Sequence, residues 1–295
     1  MPPLQRKRGI FYLGESSLRE VLKVSTMKSI LSPILILALS SGCMSAAIKA
    51  PAETVRGIRK IAVVPMEAPP LEVAPLALSG TFAGASSYLV LAPDRIIAAT
   101  GKVGVMVFGI FMLMDLPAAA REAAKVAESL DDMLGSGDAW IPTAILAQEA
   151  TDRIASAGKH DVVMERAFLK YPGITNRERT VLLENWMAPI RDWYGQDVSP
   201  FNHRAYKDRG FDAVLEVGLS TYSLYQDHMI LQVLLKLVDP GTGRVLGRAH
   251  QADLVRIKRP DSLFDGNGRP FKDLFANLGR TLVDADLIAI GFKPD

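Results

Sequence analysis

Cys43 is the only cysteine in the 295 residues, and its neighbours give the thiol a chemical task. The run Ile30–Leu39 is apolar apart from Ser32 and Pro33, and Lys28 stands just before it. Ser40, Ser41 and Gly42 follow, and then Cys43. A basic start, an apolar run of about ten residues and a small-residue exit are the parts of a secretory signal. The run falls short of the roughly 20 residues that a membrane-spanning helix needs. Small side chains before the cysteine let an extended backbone enter a peptidase cleft. The thiol is then a nucleophile able to receive a diacylglyceryl group. A lone cysteine also excludes an internal disulfide and a cysteine-rich zinc site.

Other residues with chemical potential reduce to turns and core. Gly241, Gly243 and Gly247 have the look of a dinucleotide loop, but they lie between two strands and precede no helix. Asp265-Gly266-Asn267-Gly268 starts like a calcium loop, yet Arg269 and Pro270 follow and too few oxygens remain. His160, His203, His228 and His250 show no ligand spacing; His228 and His250 could approach across neighbouring strands. No nucleophile-elbow motif is present. Trp186 and Trp193, seven apart on one helical face, are a possible aromatic groove for a partner, with core packing as the alternative. The expectation is no catalytic residue, no metal, no cofactor and no known small-molecule ligand.

Leu39-Ser40-Ser41-Gly42-Cys43 resembles the lipobox of bacterial lipoprotein precursors, with the leucine one position farther from the cysteine than usual. The resemblance implies cleavage between Gly42 and Cys43, and acylation of Cys43 with chains such as palmitate. Two or three such chains hold a protein stably, whereas one does so marginally. Met44 follows the cysteine, and an aspartate does not. By the sorting rule of Gram-negative lipoproteins this implies the outer membrane, facing the periplasm. Residues 1–42 thus read as an N-terminal extension and signal peptide, with Met27-Lys28 a natural start of translation.

Net charge supports the division. The formal charge of the whole chain is +2, but residues 1–42 carry six Lys/Arg and two Asp/Glu. Beyond them, 28 basic and 30 acidic residues remain, so no basic surplus is left for a nucleic acid partner.

Residues 43–58 read as a lipid-anchored tether, and 59–295 as a single α/β domain. Lys60–Pro65 is short, β-branched and closed by proline, which predicts a buried strand. An insertion at about 67–140 follows. Val73–Ala92 is uncharged, Val103–Met114 is apolar, and Gly80 and Gly84 form a small-xxx-small pair. This predicts a hydrophobic helical hairpin, packed on the domain or another subunit; a membrane-inserting element at 73–116 is the alternative. Ala118–Leu134 has helical composition.

A helix starting at Pro142 and stopping at Gly158 leads to a strand at Asp161–Met164, predicting a parallel βαβ crossover. Residues 177–194 predict a helix kinked at Pro189, and His203–Arg209 a short helix closed by Gly210. Then Ala213, Leu215, Val217 and Leu219 alternate with Glu216, Gly218 and Ser220. Met229–Leu237 alternates likewise, and Asp239-Pro240-Gly241-Thr242-Gly243 turns into a strand at Val245–Val255. Phe271, Leu274, Phe275, Leu278 and Leu282 stripe a last amphipathic helix. The fold class is therefore α/β: a mixed sheet with a parallel crossover, an antiparallel three-strand meander, packed helices and a hydrophobic helical insertion.

This order, with Ile61-Ala62-Val63-Val64-Pro65, Gly210–Leu215 and Leu237–Leu246, resembles a group of envelope proteins. They include the curli-secretion channel lipoprotein, the amino-terminal domain of the TolB translocation protein and lipoprotein activators of cell-wall synthases. The resemblance covers roughly residues 59–66 and 141–290. It implies an envelope protein partner or homo-oligomer, and a subunit or regulator of an envelope assembly. Two alternatives stand beside it, an oligomeric secretion or channel component and an uncharacterised envelope enzyme.

Overall fold

The computed structural model describes residues 44–73, 95–99, 105–110, 130, 132, 134, 140–174, 183–225, 227–259 and 262–292. The chain divides between Gly42 and Cys43 into two compact units, and the described residues all belong to the second. Eight strands occur among the described residues: β1 (Lys60–Pro65), β2 (Leu71–Val73), β3 (Arg95–Ala99), β4 (Val105–Ile110), β5 (Asp161–Met164), β6 (Ala213–Tyr225), β7 (His228–Val238) and β8 (Val245–Arg256). The helices bounded among the described residues are α1 (Ala52–Gly57), α2 (Pro142–Ser156), α3 (Leu183–Gly195), α4 (Arg204–Asp208) and α5 (Asp265–Ile290).

All eight strands join one sheet organised around β6. One edge of β6 pairs along its length with β7 in antiparallel register, and β7 pairs in turn with β8. The other edge is shared. Ala213–Val217 pair in parallel with β1, and Ser223–Leu224 pair in parallel with β2, so β1 and β2 lie end to end along one strand. β5 extends the sheet beyond β1 in the parallel register Lys60↔Asp161. This is the pairing that the crossover through Pro142–Ser156 required. Proline at the first turn of α2 costs no backbone hydrogen bond, and Gly158, at φ +66°, ends the helical run.

Period-two alternation assigns the sheet its two faces. Ile61, Val63, Leu215, Val217, Leu231, Val233 and Leu235 point to one side and are fully buried. There they meet Leu146, Ala147 and Ala150 of α2 and Phe271, Phe275, Leu282 and Val283 of α5. Trp140 packs edge-on against Phe271 and Phe275 at 5.5 and 5.3 Å. The opposite face carries Met66, Leu234 and the aromatic side chains of α3. α5 opens on three successive left-handed residues, Gly266, Asn267 and Gly268. The Asp265–Gly268 segment is thus a tight turn feeding the last helix.

Two sequence expectations need correction. The hydrophobic insertion is not a helical hairpin at Arg95–Ala99 or Val105–Ile110. These segments are strands, antiparallel to each other, and β4 continues in parallel register onto Leu71–Val73. Val105, Val107, Phe108 and Ile110 are residue types that suit a pleated surface, so apolar content without helical periodicity resolved toward the sheet. The remaining residues of 74–129 lie outside the described set. Leu130 and Leu134, four apart and helical, are fully buried in the main core.

The second correction concerns the tether. From Met44 onward the chain is docked. Ile48 pairs with Arg248 as an antiparallel bridge on the free edge of β8, with N–H···O distances of 2.8 Å in both directions. The Ala50 amide donates to the Ile290 carbonyl at 2.8 Å, and α1 follows directly. An open edge of β8 offers unpaired backbone groups, which the approaching chain satisfies. Gly247 makes the approach possible. A side chain there would meet Ile290 Cγ2 at 2.9 Å, the Ile48 carbonyl at 3.1 Å and the Ala50 amide at 3.2 Å.

Candidate functional site

Glu216, which alternates with the apolar residues of β6, is buried beneath α3. Glu216 of β6 stands directly opposite Lys236 of β7, and Lys236 stands opposite Arg248 of β8. Glu216 and Lys236 are fully buried, and Arg248 is 7% exposed. An acid and two bases thus cross three strands in a row, a costly arrangement unless every charge finds partners.

The partners come from α3 and the loop behind it. Glu216 Oε2 accepts the Trp193 indole N–H at 2.6 Å. Glu216 Oε1 accepts the Ser199 hydroxyl at 2.5 Å and lies 2.7 Å from His203 Nε2, which donates when it carries the proton. Lys236 Nζ donates to the Trp193 carbonyl at 2.6 Å. Arg248 Nη1 donates to the carbonyls of Tyr194 and Gly195 at 3.2 and 2.8 Å and to Asp197 Oδ1 at 3.2 Å. The last carbonyls of a helix lack intrahelical donors and carry its negative end. Lys236 and Arg248 supply both the donors and the opposite charge, so the row holds down the end of α3.

Arg248 also reaches the N-terminal segment, its Nε donating to the Ala46 carbonyl at 3.0 Å. Ser45 lies against Gly195, where an added Cβ would meet its hydroxyl oxygen at 2.7 Å. Met44 leans on the cluster of Tyr171, Trp186, Trp193 and Tyr194. One guanidinium therefore ties together β8, the end of α3 and the first residues after Cys43.

Burial sets the titration of this layer. It lowers the Lys236 ammonium to about 8, although the nearby Glu216 charge works in the other direction. It pushes the Tyr171 hydroxyl well above its usual range, reinforced by Glu67 and Glu216. Tyr194 is raised by burial and by Asp286, with Arg248 opposing. His250, 3.1 Å from the Tyr194 hydroxyl through Nδ1, is lowered by burial. The charged groups satisfy one another and the backbone.

A cleft of about 730 Å³ opens on the other side of the sheet, between α1 and the C-terminal ends of α2 and α5. Val55, Ile154, Leu287 and Phe292 give it apolar walls, and Arg56, Arg153, Lys159 and His160 make its lining basic. Arg153 pairs with Asp284 at 3.0 Å, and His160 Nδ1 lies 2.9 Å from the Ile58 carbonyl. Two helix C-termini meet here, and cations are the side chains that such ends favour.

Gly42 and Cys43 lie outside the described residues. Trp186 and Trp193 are 7% and 1% exposed, and Tyr171 packs edge-on against both at 6.3 and 5.5 Å. They form no groove for a partner; an apolar helical face beside a strand glycine resolves into core. Gly218 leaves the space, since a Cβ there would meet Trp193 at 2.9 Å. His228 and His250 do not meet, their cross-strand partners being Arg256 and Leu234. Gly241 and Gly243 lie in the hairpin turn, where Asp239 Oδ1 accepts the Gly241 and Thr242 amides at 2.8 Å. Among the described residues no group of three or more His, Cys, Asp or Glu is placed to hold a metal ion. No helix among them is long and apolar enough to cross a membrane.

No protein-family model matches this chain. No curated protein matches it either. Among solved structures it is similar to the PelC dodecamer from Paraburkholderia phytofirmans, at 12% identity over 84% of this chain and 96% of that one, with a TM-score of 0.34. Lipoprotein GNA1162 from Neisseria meningitidis is similar at 15% identity over 67% and 83% of the two chains, with a TM-score of 0.22. Protein XCC0632 from Xanthomonas campestris is similar at 11% identity over 83% and 90%, with a TM-score of 0.26.

Proposed function

We propose that this protein is a cell-envelope lipoprotein, anchored through acyl chains on Cys43 and facing the periplasm from the outer membrane. It acts without catalysis, as a subunit or regulator of an envelope assembly. One observation carries the reading. The bond that the small-residue exit marks for cleavage, Gly42–Cys43, is also the bond at which the chain divides into two compact units. Cleavage there releases a whole domain whose first residue bears the thiol. The self-satisfied charge row under α3 supports a role through contacts, because its polar atoms are committed to holding elements together.

Membrane fractionation with intact-mass analysis, wild type beside Cys43→Ala in a Gram-negative host, tests the anchor. The wild type should lose residues 1–42, gain acyl mass and sediment with outer membrane, while the variant does not mature. An unmodified full-length chain in the cytoplasm refutes it. A hydrolytic activity abolished by one polar substitution refutes the non-catalytic role.

A further inference from the structure

An acyl group on Cys43 would leave almost no slack before the folded domain. The next residue, Met44, already packs on the aromatic cluster under α3, and Ser45 touches Gly195. Successive Cα atoms are about 3.8 Å apart. A lipid on Cys43 therefore holds one particular side of the domain against the bilayer, where a free linker would let it tumble.

The guanidinium that holds the Ala46 carbonyl also holds Asp197, and the next residue is an apolar side chain held outward. Val198 is 54% exposed, yet the residues on both sides of it are clamped. Asp197 accepts from Arg248 through Oδ1 and from the Val245 amide through its carbonyl, at 3.2 and 2.9 Å. Ser199 is fixed to Glu216 by its hydroxyl and to the Gly243 carbonyl by its amide. The exposure of Val198 is thus set by the backbone. Across an antiparallel bridge from Val198 stands Arg244, which is exposed. Phe201, partly buried, leans on the same cluster as Met44. An apolar tip beside an arginine suits the boundary between acyl chains and anionic headgroups, where the cation stays with the phosphates. A single exposed valine is ordinary on a protein surface. Here its fixed backbone, and the guanidinium that its neighbour Asp197 shares with Ala46, set it apart.

We propose that the surface around Met44, Val198 and Phe201 rests on the lipid bilayer, with Val198 in the headgroup layer and Arg244 on its phosphates. The proposal rests on acylation of Cys43, and the experiment separates the two.

Once Cys43 is acylated, a cysteine introduced elsewhere is the only free thiol. Val198→Cys, Arg244→Cys and, on the opposite layer, the exposed Asn277→Cys are expressed as full chains in a Gram-negative host. Each is purified from membranes, weighed and labelled with an environment-sensitive dye. They are then placed in vesicles of phosphatidylethanolamine and phosphatidylglycerol containing phospholipid spin-labelled near the headgroup. The expected result is acyl mass on all three, with quenching at positions 198 and 244 at least about twofold above that at 277. Acyl mass with equal quenching at all three positions overturns the docked face and leaves the anchor standing. Absence of acyl mass overturns the anchor, and the docked face with it. Arg244→Cys keeps the test decisive if Val198→Cys alone disturbs its loop.

Discussion

Glu216→Ala is the substitution that most directly tests the charge row. It removes the acceptor of three donors, Trp193 Nε1, the Ser199 hydroxyl and His203 Nε2, at a site with no solvent exposure. It also deprives Lys236 of the opposite charge directly across the strand pair. A buried donor left unsatisfied costs about 1–3 kcal/mol. The Ser199 hydroxyl can turn elsewhere and water can enter the space, so the three costs do not add in full. Breaking a buried ion pair on one side costs about 3–5 kcal/mol, and that range is expected here. With a urea dependence of about 3 kcal/mol per molar, the unfolding midpoint falls by about 1–1.7 M. Glu216→Gln preserves shape and one acceptor while removing the charge, and should fall between wild type and Glu216→Ala. Urea titration of the purified protein, followed by far-ultraviolet circular dichroism and tryptophan fluorescence, measures all three. A shift below about 0.3 M for Glu216→Ala would mean that the row is not holding α3, and the reasoning fails.

Lys236 gives a pH dependence of known sign. Its folded ammonium titrates near 8 against an ordinary 10.5, so between these values the unfolded chain binds the extra proton and stability rises with pH. The slope reaches its full value of about 1.4 kcal/mol per unit only between the two pKa values, so the gain from pH 8 to 10 is about 2 kcal/mol, and Lys236→Met should lack it in urea titrations across that window. Above pH 10 the slope reverses, because burial keeps Tyr171 and Tyr194 protonated in the fold while the unfolded chain loses those protons. Gly247→Val places its branches against Ile290, the Ile48 carbonyl and the Ala50 amide. It should cost about 1–3 kcal/mol and expose residues 44–50 to limited proteolysis, read by mass spectrometry; unchanged protection would show that the N-terminal segment does not depend on this approach.

The strands and helices with strong periodicity were readable from residue types alone. Lys60–Pro65 and Asp161–Met164 are strands with the bounds their β-branched runs suggested, and Pro142 opens its helix. The meander followed from alternation and from the Asp239–Gly243 turn. What alternation could not say is which side of the sheet is wet. Glu216, Gly218 and Ser220 alternate with the apolar residues, and a second covering layer over them leaves no mark on period two. The available hint was Gly218, a small residue in mid-strand with a tryptophan-bearing helix earlier in the chain. The apolar stretch after β1 misled for a related reason. A short apolar run with glycines suits helix or strand, and the partner that decides, Leu71–Val73, is itself a three-residue strand. The part played by Arg248 was not legible at all. Its role depends on two segments that sequence spacing does not connect.

The bond between Arg248 and the Ala46 carbonyl spans 202 positions. A chain that emerges amino end first has residues 44–50 in hand long before β8 and α5 exist to receive them. Throughout that interval residues 44–50 lack the partners that β8 and α5 give them, and the proposed processing at Cys43 would meet an extended chain. Completion of the last helix ends the interval, because the Ile290 carbonyl is the acceptor for the Ala50 amide. Timing is thus written into the topology. If Cys43 is acylated as proposed, that step belongs to the chain in transit, and closure of the domain then seals residues 44–50 in place.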